Sequence, residues 1–280
     1  MNKKIKMIVA DIDGTLAEHS ILSKFTIDTI NEIHKNGYLF GIASGRPAYQ
    51  LSRTIREWGL DFEPEAIIGM NGAQLYDKQK DEIEAINYLS CEDIKKAIEF
   101  MKPYEKDTNL FIYEGKGCMF EKDDQEYLKA LDKYGEVESF RLAESYEDFY
   151  AEPNAKLLYR LYDTGMMKEI EDYVSSHVHP EFYGFKTQDN LYELANPKTN
   201  KGAAVIRFAQ SHGFDISEVA GFGDMSNDYE MIDVCGMGVC LLNGSDDCKS
   251  VADYITEEDC EHNGFANFVH KYIFEDDLRG

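Results

Sequence analysis

The sequence predicts an α/β chain built on a doubly wound parallel sheet, with a second α+β module inserted into it. Short apolar segments, Met7–Ala10, Tyr38–Ala43 and Glu65–Gly69, alternate with amphipathic segments such as Thr26–Asn36, which is the strand–helix pattern of a parallel sheet. Between residues 84 and 185 the strands alternate and are rich in Tyr, Phe, Glu and Lys, which predicts a sheet with one face exposed to solvent. After Tyr192-Glu193-Leu194 the first pattern returns. We therefore expect a core domain of residues 1–83 and 187–280 around an inserted domain of residues 84–186.

Composition narrows the class of protein. A chain of 280 residues with 43% hydrophobic residues is long enough to bury a sizeable core. Its net charge of −24 argues against nucleic acid and anionic membranes as partners. Six cysteines occur without a Cys-x-x-Cys pair, which favours reduced thiols in a cytoplasmic protein. No apolar segment approaches the length that spans a membrane.

The strongest local pattern follows the first apolar segment, where the chain continues Asp11-Ile12-Asp13-Gly14-Thr15-Leu16. Side chains at positions i and i+2 of an extended chain point the same way, so Asp11 and Asp13 face one site at the carboxyl end of a buried strand. Two close carboxylates repel each other unless a cation lies between them, and Mg²⁺ is the natural cation for oxygen ligands. An ordinary Asp-Gly turn is the alternative.

Three further segments carry polar residues at the ends of predicted strands or the starts of helices. Ser44-Gly45 precedes a helix, where free N–H groups attract anions. Lys201 lies near a helix start, where the helix dipole disfavours a cation unless an anion is close. Asp224 and Asp228 flank Asn227 and share one face of a starting helix. Taken singly, each has an ordinary explanation: a Ser N-cap, a surface Lys, and acidic helix caps.

Taken together and in this order, the four segments resemble the motifs of the haloacid dehalogenase-like (HAD) phosphohydrolases. The position of the inserted module is similar to that of the type-IIB, Cof-like branch, which carries an α/β cap domain. The resemblance implies a Rossmann-like core and a Mg²⁺-dependent phosphatase. It would hydrolyse small phosphorylated metabolites such as sugar phosphates through an aspartyl-phosphate on Asp11.

The resemblance also implies roles for individual residues, and it places the substrate preference in the cap. The implied catalytic residues are Asp11, Asp13 and Lys201. The implied phosphate and substrate contacts are Ser44, Gly45, Arg46, Asn71, Lys201 and Asn227. The implied metal ligands are Asp11, Asp13, Asp224 and Asp228, with Asp13 contributing its backbone carbonyl. The departures from the branch pattern at Asn200 and at Asn243-Gly244 do not touch these residues.

Three alternatives stay open at the level of sequence. A phosphomutase of the same fold would use the same motifs. A phospho-accepting signalling module shares an Asp acceptor, a hydroxyl and a Lys, but such modules are shorter and lack the second acid at Asp13. A non-catalytic binding protein on this fold is the third. We expect a small phosphate ester as the partner, neither nucleic acid nor membrane, and a monomer or small homo-oligomer.

Overall fold

The computed structural model describes residues 5–18, 21–133 and 137–274. The chain forms two compact units, Met1–Glu84 with Asn200–Gly280, and Ala85–Thr199. The chain therefore returns to the first unit at Asn200 and not at 187. The reason is that Tyr183–Gln188 and Leu191–Ala195 form strands that pair within the sheet of the second unit.

The first unit contains an eight-stranded sheet with helices along the chain between the strands. Its strands are β1 (Met7–Ala10), β2 (Leu39–Ala43), β3 (Ala66–Gly69), β4 (Gln74–Asp77), β5 (Glu82–Ala85), β12 (Val219–Gly223), β13 (Met237–Cys240) and β14 (Tyr254–Ile255). Its helices are α1 (Lys24–Lys35), α2 (Ala48–Glu57), α6 (Lys201–Ser211), α7 (Tyr229–Val234), α8 (Asp246–Val251) and α9 (Gly264–Phe268), the last continued by a π-helical turn (Val269–Phe274).

The strand order in this sheet is β14-β13-β12-β1-β2-β3-β4-β5. The strands from β14 to β3 are parallel, and β3 pairs antiparallel with β4. All four residues of β1 are buried, as expected for the central strand of a sheet covered on both faces. This confirms the doubly wound parallel sheet that the apolar segments predict.

The second unit contains a six-stranded sheet in the order β10-β11-β9-β6-β7-β8. Its strands are β6 (Thr108–Glu114), β7 (Gly117–Phe120), β8 (Ser139–Leu142), β9 (Lys156–Leu161), β10 (Tyr183–Gln188) and β11 (Leu191–Ala195). Its helices are α3 (Cys91–Met101), α4 (Gln125–Lys133) and α5 (Met167–Ser176). Neighbouring strands are antiparallel except β7 and β8.

The expectation of one solvent-exposed face on this sheet is wrong for its inner strands. Every residue of β7, β9 and β11 is buried, because apolar clusters cover both faces. The polar residues that produce the alternating pattern lie inside. Lys156 and Glu193, for example, form a buried ion pair of 2.8 Å. A charge with a buried partner has the same sequence signature as an exposed charge.

The six cysteines are all free thiols. Within the described ranges, every helix falls short of the length and apolar character needed to cross a membrane.

Candidate active site

The ends of three neighbouring strands bring the predicted site residues to one edge of the first unit's sheet. Ala10 of β1 pairs with Ile42 of β2 on one side and with Phe222 of β12 on the other. The polar residues that follow these strands therefore share the carboxyl edge, where open α/β sheets bind ligands. These residues are Asp11, Ser44 and Asp224.

At the centre of this edge the amine of Lys201 joins two carboxylates. Its Nζ donates to Oδ1 of Asp11 at 2.7 Å and to Oδ1 of Asp228 at 2.6 Å. Lys201 is fully buried and is the first residue of α6, which Asn200 caps by accepting from the N–H of Ala203. A cation at a helix N-terminus is opposed by the helix dipole. The two carboxylates compensate for that cost, as expected for a buried charge.

Asp224 lies beside this ion triad and is held by a hydroxyl. Thr15 donates from Oγ1 to Oδ1 of Asp224 at 2.8 Å. Gly14 adopts a φ of +89°, and a Cβ at this position would collide with the carboxylate of Asp224. Oδ2 of Asp228 accepts from the backbone N–H groups of Asp224 and Met225 at 3.0 and 3.2 Å. Asp228 therefore holds both Lys201 and the start of the loop that carries Asp224.

The site concentrates negative charge in a buried space. Burial, reinforced by Asp228 and Asp224 and opposed by Lys201, raises the pKa of Asp11 to about 8. Burial and the neighbouring Asp228 raise the pKa of Asp224 to about 7, against the hydrogen bond from Thr15. Burial disfavours the charged amine of Lys201, yet Asp11 and Asp228 outweigh it and raise its pKa above the ordinary value. Lys201 therefore stays protonated, and the carboxylates compete for a second positive charge.

Asp13 lies apart from this cluster. Its side chain is 40% exposed, and its Oδ2 accepts from the guanidinium of Arg46 at 2.5 Å. Arg46, which the resemblance assigns to substrate contact, is thus also the partner of the proposed acid. Charge-assisted pairs of this kind fix the orientation of a carboxylate.

The remaining predicted contacts form a second group at the same edge. Ser44 is buried after β2, and its backbone carbonyl accepts from the N–H of Asn71 at 3.0 Å. Nδ2 of Asn227 donates to Oδ1 of Asn71 at 3.2 Å. A Cβ on Gly45 would approach that same oxygen to 3.2 Å. Asn71 adopts a φ of +54°, which Asn tolerates better than most residues. The structure therefore brings Ser44, Gly45, Asn71 and Asn227 together.

Two residues of this edge did not emerge from sequence reasoning in their observed roles. The hydroxyl of Thr15 donates to Asp224. Asn243 was noted only as a departure from the branch pattern. Its Nδ2 donates to the carbonyl of Gly14 at 2.8 Å, and its Oδ1 accepts from the N–H of Cys260 at 3.0 Å. Asn243 thus braces the turn that carries Asp13.

The acidic cluster fits a divalent cation. Oxygen atoms of Asp11, Asp224 and Asp228 all lie within 4.8 Å of one another. Carboxylate oxygens are the ligands that Mg²⁺ prefers in proteins. Lys201 supplies a single positive charge to three carboxyl groups, so ionising all three calls for further positive charge, which a cation would supply. The side chain of Asp13 is not part of the cluster.

Comparisons with known proteins agree with this architecture. A family model described as haloacid dehalogenase-like hydrolase matches residues 8–269. The curated protein 5-amino-6-(5-phospho-D-ribitylamino)uracil phosphatase YitU of Bacillus subtilis is 24% identical over 278 residues, covering 98% of this chain and 99% of its own length.

Two solved structures are similar over nearly the whole chain. A haloacid dehalogenase-like hydrolase from Bacteroides thetaiotaomicron superposes with a TM-score of 0.79 at 25% identity, covering 96% of this chain and 99% of that one. The HAD subclass IIB sugar phosphatase BT4131 superposes with a TM-score of 0.76 at 20% identity, covering 95% and 98%.

The chain therefore belongs to the haloacid dehalogenase-like hydrolase family. Within that family it is a phosphatase.

Proposed function

We propose that the protein hydrolyses small phosphate monoesters in two steps, with Asp11 as the nucleophile and Mg²⁺ as the cofactor. The observation that supports this most directly is the buried amine of Lys201, which binds Asp11 and Asp228 at 2.7 and 2.6 Å within a cluster of three carboxylates. A purely structural role would need only one partner for Lys201. The carboxylates beyond that one partner instead suit a site that binds a metal cation together with an anionic phosphate ester.

In the first step an oxygen of Asp11 attacks the phosphorus atom of the ester. A bond forms between that oxygen and phosphorus while the bond from phosphorus to the leaving oxygen breaks. Asp13 donates a proton to the leaving oxygen, and Arg46 fixes the orientation of Asp13. Lys201, whose Nζ contacts Oδ1 of Asp11, stabilises the negative charge that collects on the phosphoryl group.

In the second step water hydrolyses the aspartyl-phosphate. Asp13, now ionised, accepts a proton from the water molecule as its oxygen attacks phosphorus. The bond between Asp11 and phosphorus then breaks, which releases inorganic phosphate and regenerates both carboxyl groups. Ser44 and Asn227 hold the phosphoryl oxygens through their hydroxyl and amide groups during both steps.

The carboxylates of Asp11 and Asp224 and the backbone carbonyl of Asp13 would hold the Mg²⁺. When bound, the cation supplies positive charge that reduces the repulsion between Asp11 and the phosphate. Asp228 has one oxygen on Lys201 and the other on two backbone amides, so we assign it the positioning of Lys201 and of the loop that carries Asp224.

We propose a sugar phosphate or a related polyol phosphate as the substrate class. Two relatives named above, YitU and BT4131, carry phosphatase names that include a phosphorylated ribityl group and a sugar. We further propose that the inserted unit, Ala85–Thr199, determines the preference among such substrates. Arg46 and Asn71 are the candidates for substrate contact within the first unit.

A panel of phosphorylated metabolites tests the proposal. The full-length protein with Mg²⁺ should release inorganic phosphate from one or more sugar or polyol phosphates, and EDTA should abolish the release. Ca²⁺ should support it poorly, because Ca²⁺ takes more oxygen ligands in a looser geometry. Conversion of a sugar phosphate to its isomer without phosphate release would identify a phosphomutase instead. Full activity in EDTA would contradict the metal site.

A further inference from the structure

The segment that joins β13 to the first turn of α8, residues 241–248, contacts both loops that carry the proposed metal ligands. Asn243 reaches the turn after β1, where its Nδ2 donates to the carbonyl of Gly14 at 2.8 Å. Ser245 reaches the loop after β12, where its backbone N–H and its hydroxyl donate to the carbonyl of Asp224 at 2.8 and 3.2 Å. The segment lies outside the four sequence motifs, yet it connects two of them.

The hydrogen bond from Asn243 fixes the backbone next to the carbonyl of Asp13, one of the proposed ligands. That carbonyl and the N–H of Gly14 belong to one planar peptide group. The N–H donates to the carbonyl of Ala17 at 2.8 Å, and Asn243 holds the carbonyl on the other side of Gly14. Gly14 has a φ of +89°, and a glycine has many other conformations open to it. Holding both of its backbone groups therefore gives the Asp13 carbonyl one direction.

The loop that carries Asp224 is held through its backbone carbonyls as well as through its amides. Asp228 accepts from two amides of this loop, as described above. The carbonyl of Asp224 accepts from Ser245, and the carbonyl of Met225 accepts from Sγ of Cys248 at 2.8 Å. The carboxylate of Asp224 therefore extends from a backbone that is bonded on two sides.

The connecting segment is itself anchored to the rest of the first unit. The N–H of Leu242 donates at 2.9 Å to Oγ1 of Thr256, which is buried. Oδ1 of Asn243 accepts from the N–H of Cys260 at 3.0 Å. The side chain of Asn243 thus has one group on a neighbouring loop and the other on the turn after β1, so it transmits a fixed position to that turn.

We propose, on the basis of the function proposed above, that Asn243 and Ser245 are positioning residues for the divalent cation. They hold the carbonyl of Asp13 and the carboxylate of Asp224 in place before the cation binds. Mg²⁺ demands a near-ideal arrangement of oxygen ligands, so ligands held in advance bind it more tightly. Removing a group that orients a metal ligand typically costs 10–100-fold in metal affinity or activity. We therefore expect the affinity for Mg²⁺ to depend on these two side chains.

Calorimetric titration of Mg²⁺ into the metal-free, full-length protein measures this affinity without substrate. Asn243→Ala removes the bonds to Gly14 and Cys260 and should raise the Kd for Mg²⁺ about tenfold. Ser245→Ala removes the hydroxyl but keeps the backbone N–H, so the Kd should rise only about threefold, the usual effect of one hydrogen bond. Ser245→Thr restores a hydroxyl and should bind Mg²⁺ like the unmodified protein.

The matched control is Asn267→Ala on α9. The side-chain amide of Asn267 donates to Glu258 at 3.4 Å and to the carbonyl of His262 at 3.3 Å, on the loop that Asn243 also contacts. Its loss removes two bonds to that loop but none to the turn after β1. This variant should therefore bind Mg²⁺ with the Kd of the unmodified protein.

The outcomes separate this proposal from the proposed function. An unchanged Kd in Asn243→Ala, or an equal rise in Asn267→Ala, would overturn the positioning role and leave the metal site itself intact. If circular dichroism shows that Asn243→Ala does not fold, equal Kd values for Ser245→Ala and Ser245→Thr would overturn it instead. Absence of Mg²⁺ binding by the unmodified protein would contradict the metal site of the proposed function, and the positioning role with it.

Discussion

The guanidinium of Arg46 donates to the carboxylate of Asp13 across 2.5 Å, so a residue expected to contact substrate also orients the proposed general acid. Ser44, at the end of the strand that leads to Arg46, accepts through its Oγ from the Arg46 N–H at 3.4 Å. In the proposed mechanism, one short segment after β2 therefore serves both the phosphoryl group and the acid. This arrangement predicts how kcat depends on the leaving group of the phosphate ester.

Replacing Arg46 by Gln should slow the hydrolysis of substrates whose leaving group must be protonated. We expect kcat for an alkyl phosphate to fall about tenfold, a part of the 10²–10⁴-fold that a positioned acid contributes. p-Nitrophenyl phosphate should be affected less, because p-nitrophenolate leaves without protonation. Steady-state kinetics with both esters checks this. Arg53→Gln, an exposed change on α2, the helix that follows Arg46, is the control, and an equal loss for both esters would assign Arg46 to another task.

Asp11→Asn should abolish turnover while leaving a folded protein. An amide does not attack phosphorus and is a poor ligand, so kcat should fall by about 10⁴-fold or more, the scale seen when an essential catalytic group is removed. The fold should persist, because Lys201 keeps Asp228 as a partner. Phosphate release and circular dichroism measure the two effects. Near-normal phosphate release by this variant would remove Asp11 from the mechanism.

The metal-free protein should lose stability as pH rises, and Mg²⁺ should offset the loss. The pKa values of Asp11 and Asp224 are raised to about 8 and about 7, above the ordinary value of 3.8. A carboxyl group with a raised pKa stabilises the fold while protonated, so its contribution is lost as pH rises through the folded pKa. The loss begins near pH 4, where the unfolded chain ionises, and ends near pH 8, so melting temperatures in EDTA should fall across that range, and Mg²⁺ should raise them most at its upper end.

The Asp11→Asn variant is the control for this measurement, since it removes one of the two titrating groups. Its melting temperature in EDTA should depend less on pH over the same range. A pH dependence identical to that of the unmodified protein would show that other groups are responsible.

Lys201→Met should destabilise the protein strongly. It leaves Asp11 and Asp228 buried without their shared cation, and breaking a buried ion pair in this way typically costs about 3–5 kcal/mol. Urea unfolding measures the change in the free energy of unfolding. Lys24→Met breaks an exposed pair with Asp28 and should change it by less than about 1 kcal/mol. Similar effects from both substitutions would mean that Lys201 is not the main compensating charge.

Removing the second unit should separate hydrolysis from substrate preference. The segments that enter and leave this unit run side by side, because Asn87 donates to the carbonyl of Lys198 at 3.0 Å and accepts from Thr199 at 3.1 Å. A short Gly/Ser linker can therefore join Glu84 to Asn200. The shortened protein should still cleave p-nitrophenyl phosphate, more slowly, and should lose its preference for the best natural substrate. Solubility is checked first, and an unchanged ratio of kcat/KM values would show that the second unit does not set preference.

Much of the candidate site follows from strand patterns alone. The buried segment Met7–Ala10 ends at Asp11, and the rule that parallel strands present their carboxyl ends together predicts that Ser44 and Asp224 lie near it. Lys201 was harder to interpret, because a Lys-Gly at a helix start is usually exposed. Only the folded structure shows that it is fully buried between two carboxylates.

The remaining features depend on side-chain contacts that no local pattern encodes. The hydroxyl of Thr15 meets Asp224 from a position 209 residues away in the chain, and the direction of a hydroxyl is not a property of the sequence. The boundary near residue 187 was misplaced for a related reason. Leu191–Ala195 is fully buried like the central strands of the first unit, and only its pairing with β9 assigns it to the second unit.

The central strand β1 is paired with β12, whose residues are made more than two hundred positions later. During synthesis, one edge of β1 therefore stays unpaired until the chain has been made as far as Gly223. The second unit is continuous in sequence, and domains generally fold as units in the order of their synthesis. We expect it to fold first and the surrounding sheet to close last. Lys201, Asp224 and Asp228 belong to the last segment to be made. We therefore expect a nascent chain that ends before this segment to have a folded inserted unit but no complete candidate site.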